Sequence, residues 1–144
     1  MLNDEIENKL RASFASQGLL RTLGAQLQEV SVGRCVIEVP FSPAVTQQNG
    51  YFHGGVVGAL ADTAGGYAAL TVLPAGVDIL TLEYKINFLR PALGDRIVAE
   101  AHVLKAGRSV TVTRVDVYVE RNGERHLCAA AQQSIVKVIS RPGE

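Results

Sequence analysis

The 144-residue chain is predicted to fold as one α+β domain, an antiparallel sheet wrapped around a long central helix with an amphipathic helix at the N-terminus. Three observations predict it. Helical spacing governs residues 3–16 and the run from 54 to about 72, whereas period-two alternation takes over from residue 80 onward. The 54–72 run is apolar all round, which suits a helix enclosed by a sheet rather than one lying on a surface. No linker, internal repeat or low-complexity tract divides the chain, and its length fits a single domain over residues 1–144.

Each element has its own signal. Ile6, Leu10 and Phe14 recur at four-residue spacing between charged positions, giving an amphipathic helix that stops near Gly18. Leu23, Ala25 and Leu27 alternate with more polar neighbours, and residues 34–39 continue in strand-like fashion after Gly33, which predicts a first hairpin. Residues 40–51 read as loop. The 54–72 run is rich in Ala and long enough for five turns. Its glycines, Gly54, Gly55, Gly58, Gly65 and Gly66, cost helix stability and so imply close backbone packing. Leu80, Leu82, Tyr84, Ile86 and Phe88 then alternate with Thr81, Glu83, Lys85, Asn87 and Leu89 in a strand that Pro91 ends. Ile97, Ala99, Ala101 and Val103 mark the next strand, residues 110–120 another, and Asn122-Gly123 a type I′ turn into a last strand over 125–138. The tail after Ile139 is expected to fray. One sheet cannot cover every side of the central helix, so a second copy of the sheet edge or helix is expected to complete its burial.

Composition narrows the function. Lys plus Arg and Asp plus Glu number 14 each, so the chain lacks the basic stripe of a nucleic-acid binder. The segment MLNDEIENKLRASF has no positive region followed by an apolar core, which makes cytoplasmic residence the default expectation. Residues 54–77 are interrupted by Asp62, Thr63, Gly65, Gly66 and Pro74 and lack flanking Lys/Arg clusters, so a buried helix is expected and no membrane partner. Cys35 and Cys128 lack CxxC spacing and sit in apolar strand-like segments, reading as reduced core residues. His102 and His126 have no ligand spacing, and no metal site is expected.

Chemistry concentrates around Asp62. It is the one charged side chain in residues 54–77, and a carboxylate in apolar surroundings is costly unless paired, hydrogen-bonded or put to use. Nine residues upstream stands His53-Gly54-Gly55. With a helix beginning at 54, the N–H groups of Gly54 and Gly55 lie unpaired at the positive end of the macrodipole, where they suit a carbonyl oxygen. The missing Cβ atoms let a substrate approach that backbone, although a glycine-rich helix start needed only for packing has the same sequence. Eight residues at ~1.5 Å each separate Gly54 from Asp62 by about 12 Å along one helix. For both to act on one carbonyl, the simplest arrangement is a two-fold-related antiparallel partner helix that sets Asp62 of one subunit beside Gly54 of the other.

Residues 47–55, Gln-Gln-Asn-Gly-Tyr-Phe-His-Gly-Gly, followed by Leu60-Ala61-Asp62, Thr81 and the strand end Ile86-Asn87-Phe88-Leu89-Arg90-Pro91-Ala92, resemble the hotdog-fold acyl-CoA thioesterases. The likeness is greatest to the phenylacetate-pathway type and runs from about residue 20 to 138. It implies a hotdog fold, a homodimer with two composite sites, and often a homotetramer built from two dimers. It also implies hydrolysis of an acyl-CoA thioester, the CoA being part of the substrate and no separate cofactor or metal being required. On that resemblance Gly54 donates its backbone N–H to the thioester carbonyl, and Asp62 of the partner subunit serves as nucleophile or general base. His53 orients the loop and the helix start. Gln47 matches a position that holds the carbonyl or the attacking water, and Thr81 one where a hydroxyl binds that water. Arg90, Lys105 and Arg108 are the candidates for the CoA portion, the last within Gly107-Arg108-Ser109, which resembles a nucleotide-contacting turn. Lys85, Arg114 and Arg125 are assigned surface charge or cross-strand pairing.

The sequence departs from the pattern at Gly66, where some relatives carry Ser or Thr one turn after the acid, and at Asp62, which is Glu in some branches. An enoyl-CoA hydratase on this fold pairs the Asp with a His five residues later, but here that position is Tyr67. A non-catalytic acyl-CoA-binding module is the alternative from another class. Tyr51, Phe52 and Tyr67 are candidates to line the pocket of an aryl or short- to medium-chain acyl group, as well as being ordinary core aromatics.

Overall fold

The computed structural model describes residues 1–139, and the expected fraying after Ile139 lies outside the described residues. Helix α1 (Asp4–Ser16) begins where the Asn3 side chain accepts from the Glu5 N–H, with Asp4, Glu5 and Glu7 in its first turn. It buries Leu10 and Phe14. Gln17 breaks the helix in extended conformation, and Gly18 opens a second short one, α2 (Gly18–Leu23), closed by Gly24 at φ 70°. Leu23 therefore ends a helix and does not begin a strand. The buried Leu20 anchors that turn, and the left-handed Gly24 redirects the chain into β1 (Gln26–Ser31).

After β1 come β2 (Arg34–Pro40), a single 3-10 turn (Pro43–Val45), the central helix α3 (Gly54–Leu70), and strands β3 (Val77–Phe88), β4 (Arg96–Ala106), β5 (Val110–Arg121) and β6 (Glu124–Ile139). All neighbouring strands pair antiparallel in the order β1-β2-β4-β5-β6-β3. Asn122 and Gly123 both have positive φ, 52° and 78°, as the expected type I′ turn requires. The sheet wraps α3, whose Leu60, Ala61, Ala64 and Ala68 are fully buried against Ile37, Val39, Ile97, Ala99, Val115, Val117 and Ala129. Among the described residues no helix is long and apolar enough to cross a membrane.

The glycines of α3 do what their cost implies. A Cβ on Gly58 would lie a tight 3.2 Å from the Tyr84 hydroxyl and one on Gly66 3.3 Å from Ile79, whereas one on Gly54 would meet Phe88 at 3.4 Å, an ordinary contact. Residues 54, 58, 62 and 66 thus form one stripe, each a turn apart, facing β3 laid antiparallel across them. Asp62 is the one position on that stripe that is not glycine.

The regular alternation expected of β3 is interrupted by a bulge between Thr81 and Glu83. Before it Ile79 and Thr81 face α3, and after it Tyr84 and Phe88 do, so the inward parity changes from odd to even. A bulge inserts one unpaired residue and re-aims its neighbours. Here it turns Thr81, on the polar face of a regular strand, toward Asp62, and sends Leu80 to the opposite face, where it is 63% exposed. β3 is also a sheet edge, with Leu82, Tyr84 and Phe88 exposed.

The polar face of the sheet carries an alternating chain of ions, Glu29–Arg34–Glu100–Arg125–Glu120–Arg96–Glu38, running from β1 to β6 and back to β2. Arg125 bridges Glu100 at 2.5 Å and Glu120 at 3.0 Å, the cross-strand role expected of it. Cys35 and Cys128 are free and buried, and burial pushes their thiols up to about 12 and about 11, which keeps them protonated at neutral pH.

Candidate active site

The start of α3 is built by the loop before it. The Phe52 N–H donates to the Ala92 carbonyl and the His53 N–H to the Val45 carbonyl, each at 2.9 Å, which fixes the entry of the chain into the helix. His53 is the N-cap, its Nδ1 accepting from the Gly55 N–H at 2.8 Å. That bond requires a bare Nδ1 and places the neutral ring's proton on Nε2. The Val56 and Val57 N–H groups donate to the His53 carbonyl at 2.9 and 3.1 Å. Of the first-turn amides, this leaves the Gly54 N–H as the one without an acceptor among the described residues. Spacing alone offered Gly54 and Gly55 equally, and the family resemblance chose Gly54; the His53 cap engages Gly55.

A groove of about 440 Å³ opens in front of Gly54. Gln47, Tyr51, Phe88, Leu89 and Arg90 are among its lining residues. The Gln47 side-chain carbonyl accepts from the Asn49 N–H, so its amide nitrogen remains as a donor. Arg90 is held by the bulge in β6, where the Cys128 carbonyl accepts from the Leu89 and Arg90 N–H groups at 2.8 and 3.4 Å. Phe52 also lines this groove but is a core residue, 4% exposed and edge-on to Phe41 at 5.8 Å.

Asp62 lines a different groove, of about 370 Å³, with Ser13, Gln17, Tyr67, Leu70, Leu80 and Thr81. Thr81 donates its hydroxyl hydrogen to Asp62 Oδ1 at 2.7 Å. Tyr67, where a hydratase carries His, has its hydroxyl engaged by Ser13 at 2.9 Å and by the Gln17 amide at 3.0 Å. The structure therefore brings Gly54, Gln47, His53 and Arg90 together at one end of α3 and Asp62 with Thr81 toward the other. Lys105 and Arg108 line neither groove. Lys105 is near the end of β4 and Arg108 is in the β4–β5 turn, where Lys137 donates to the carbonyls of Gly107 at 3.4 Å and Arg108 at 3.1 Å.

One residue of this site escaped the sequence reading. Gln133 on β6 is 2% exposed, and its amide nitrogen donates to the Asp62 backbone carbonyl at 3.0 Å and to Asp62 Oδ1 at 2.5 Å. The available signal was the core-facing line Ala129, Ala131, Gln133, Ile135, which places an amide among apolar residues and alongside Thr113 of β5.

A family model described as the thioesterase superfamily matches residues 49–126. A thioesterase family protein of Silicibacter pomeroyi superimposes with a TM-score of 0.91 at 38% identity, covering 94% of this chain and 99% of that one. A thioesterase of Haemophilus influenzae matches at a TM-score of 0.84 and 25% identity, over 100% of each chain. Acyl-coenzyme A thioesterase 13 of Homo sapiens is 27% identical over 125 residues, 85% of this chain and 89% of its own length. The chain belongs to the thioesterase superfamily. Its sheet-wrapped helix is the hotdog fold, and the activity class that goes with this membership is thioester hydrolysis.

Proposed function

We propose that the protein hydrolyses acyl-CoA thioesters at sites shared between two subunits. The observation that carries this reading is the separation of Gly54, with its unpaired N–H, from Asp62, in two grooves of one chain. A two-fold axis supplies the missing proximity. Gly58 and Tyr84 touch midway between the Gly54–Phe88 and Asp62–Thr81 contacts. An axis at that level carries Asp62 of one subunit toward Gly54 of the other and pairs the two β3 edges antiparallel, covering Leu80, Leu82 and Phe88. The family resemblance extends this to a tetramer of two such dimers.

At the composite site the Gly54 N–H, reinforced by the helix macrodipole, polarises the thioester carbonyl, and the Gln47 amide is a second donor. Arg90 meets the CoA portion, with Lys105 and Arg108 as candidates for its phosphates. The acyl group runs into the partner's Asp62 groove, whose apolar lining includes Leu70 of the partner subunit and whose size suits an aryl or medium-chain group. Asp62 either attacks the carbonyl carbon, expelling CoA thiolate and leaving an anhydride that water cleaves, or takes a proton from the water that attacks. No metal or redox group enters either route. The test is release of free thiol from aryl-, short- and medium-chain acyl-CoAs. Turnover of aryl or medium chains above acetyl is expected, and no turnover across the panel would refute the reading. A single turnover in ¹⁸O water identifies the covalent route when label appears in the Asp62 side chain, the outcome of water attacking the aspartyl carbon of the anhydride.

A further inference from the structure

We infer that Gln133 is the positioning residue of the Asp62 carboxylate, holding Oδ1 so that Oδ2 is the oxygen that reacts; the inference rests on the reading of Asp62 as the catalytic carboxylate. The orientation of the amide follows from its neighbours. The Asp62 backbone carbonyl and its ionised carboxylate can only accept, so the face of Gln133 turned toward Asp62 is the nitrogen. Gln133 Oε1 then points to Thr113, whose hydroxyl donates to it at 2.9 Å. The same amide nitrogen reaches Thr81 Oγ1 at 3.1 Å, while Thr81 spends its single hydrogen on Asp62 Oδ1 at 2.7 Å. Oδ1 therefore receives two donors, and Oδ2 receives none from the described residues. With Oδ1 fixed at two points the carboxylate cannot rotate about its Cβ–Cγ bond without breaking both.

The socket for this amide is written into three elements. Thr113 comes from β5, Gln133 from β6, and the room from α3. A Cβ on Gly65 would stand 1.8 Å from Gln133 Oε1 and 2.7 Å from Thr113 Oγ1, so any larger residue there displaces the amide. Gly65 does not face β3 and forms no part of the stripe of residues 54, 58, 62 and 66; the buried amide accounts for it. A buried amide at a core position is costly unless its groups are satisfied, and here each of its atoms is engaged by the catalytic carboxylate or by a residue that holds it.

The test compares Gln133→Met, nearly isosteric and without the amide, with Thr113→Val, which touches only the far end of the network. Gln133→Met should lower kcat about 10- to 100-fold, the scale on which a reacting group misplaced by an ångström loses rate, with KM changed less than about two-fold. Thr113→Val should lower kcat in the same direction by about three- to ten-fold. Placed on an Asp62→Asn background, Gln133→Met should cost nothing more in kcat, because no carboxylate remains to be positioned. Unchanged kcat in both single variants, or an equal further loss on the Asp62→Asn background, overturns the inference and leaves the thioesterase reading standing. If Gln133→Met does not fold, Thr113→Val and its combination with Asp62→Asn give the same two readouts. Asp62→Asn alone with wild-type turnover would instead refute the underlying reading.

Discussion

Asp62 owes its place to a stripe of residues too small to keep β3 away. On the face where Gly54, Gly58 and Gly66 admit Phe88, Tyr84 and Ile79, one residue carries a charge, and Thr81 and Gln133 accept the task of satisfying it. Asp62→Asn preserves size and leaves an amide able to bond the same neighbours, so the fold and CoA binding should be retained. Turnover should fall by at least ~100-fold, as expected for loss of a catalytic base or nucleophile. Steady-state thiol release with a thermal melt in parallel checks both parts. Gly54 tests the opposite pole. A methyl at Gly54 meets the Phe88 ring at 3.4 Å, an ordinary contact within the chain, so Gly54→Ala should fold. Its activity should nevertheless drop about ten-fold or more in kcat/KM, because the methyl stands where the substrate carbonyl must approach the N–H.

The element that does most for the site is β3. Its bulge at Thr81/Glu83 lets one strand present Thr81 to the carboxylate and, further on, Tyr84 and Phe88 to the glycines. Its unpaired edge offers Leu80 and Leu82 for burial against a second copy. Leu82→Lys places a charge on that edge, a device by which natural sheets prevent strand pairing. If β3 pairs across a dimer, the wild type should sediment as a dimer in analytical ultracentrifugation where the variant runs as a monomer, and the variant's activity should fall with its dimer fraction. The strand itself was legible from alternation, as was the end of α1 near Gly18, whereas the short α2 that follows was not. The bulge was not, because an inserted residue such as Leu82 has the same chemistry as its regular neighbours. Gln133 stayed hidden for a related reason. Its partners lie far off in sequence on α3, β3 and β5, and only the register that brings β6 beside them gives an amide at that position a meaning.

At the scale of the whole molecule, two properties follow from how the sheet is organised. The ion chain on its polar face ties β1, β2, β4, β5 and β6 together. Burial works to raise the Glu120 carboxyl, but hydrogen bonds and charge from Arg96 and Arg125 outweigh it and hold the group below its ordinary 4.5. A carboxylate lowered in the folded state stabilises it above the unfolded value, and that contribution is lost as pH falls through the folded one. Wild-type Tm should therefore decline more steeply below about pH 4.5 than that of Glu120→Gln, with the two curves converging toward pH 3. Thermal melts from pH 6 to pH 3 read this directly.

The second property is the separation of the two poles of the candidate site. The helical rise from Gly54 to Asp62 keeps the two groups apart within one chain, and the fold puts them in different grooves with an apolar edge between. The most direct measurement mixes Asp62→Asn subunits with subunits blocked at the other pole by Gly54→Val, each inactive alone. If the site is shared, each mixed dimer has one site with both native groups, and an equimolar mixture should recover about a quarter of wild-type activity. Activity that stays at the level of the parent variants, with subunit exchange verified by mass, would contradict a site built from two chains.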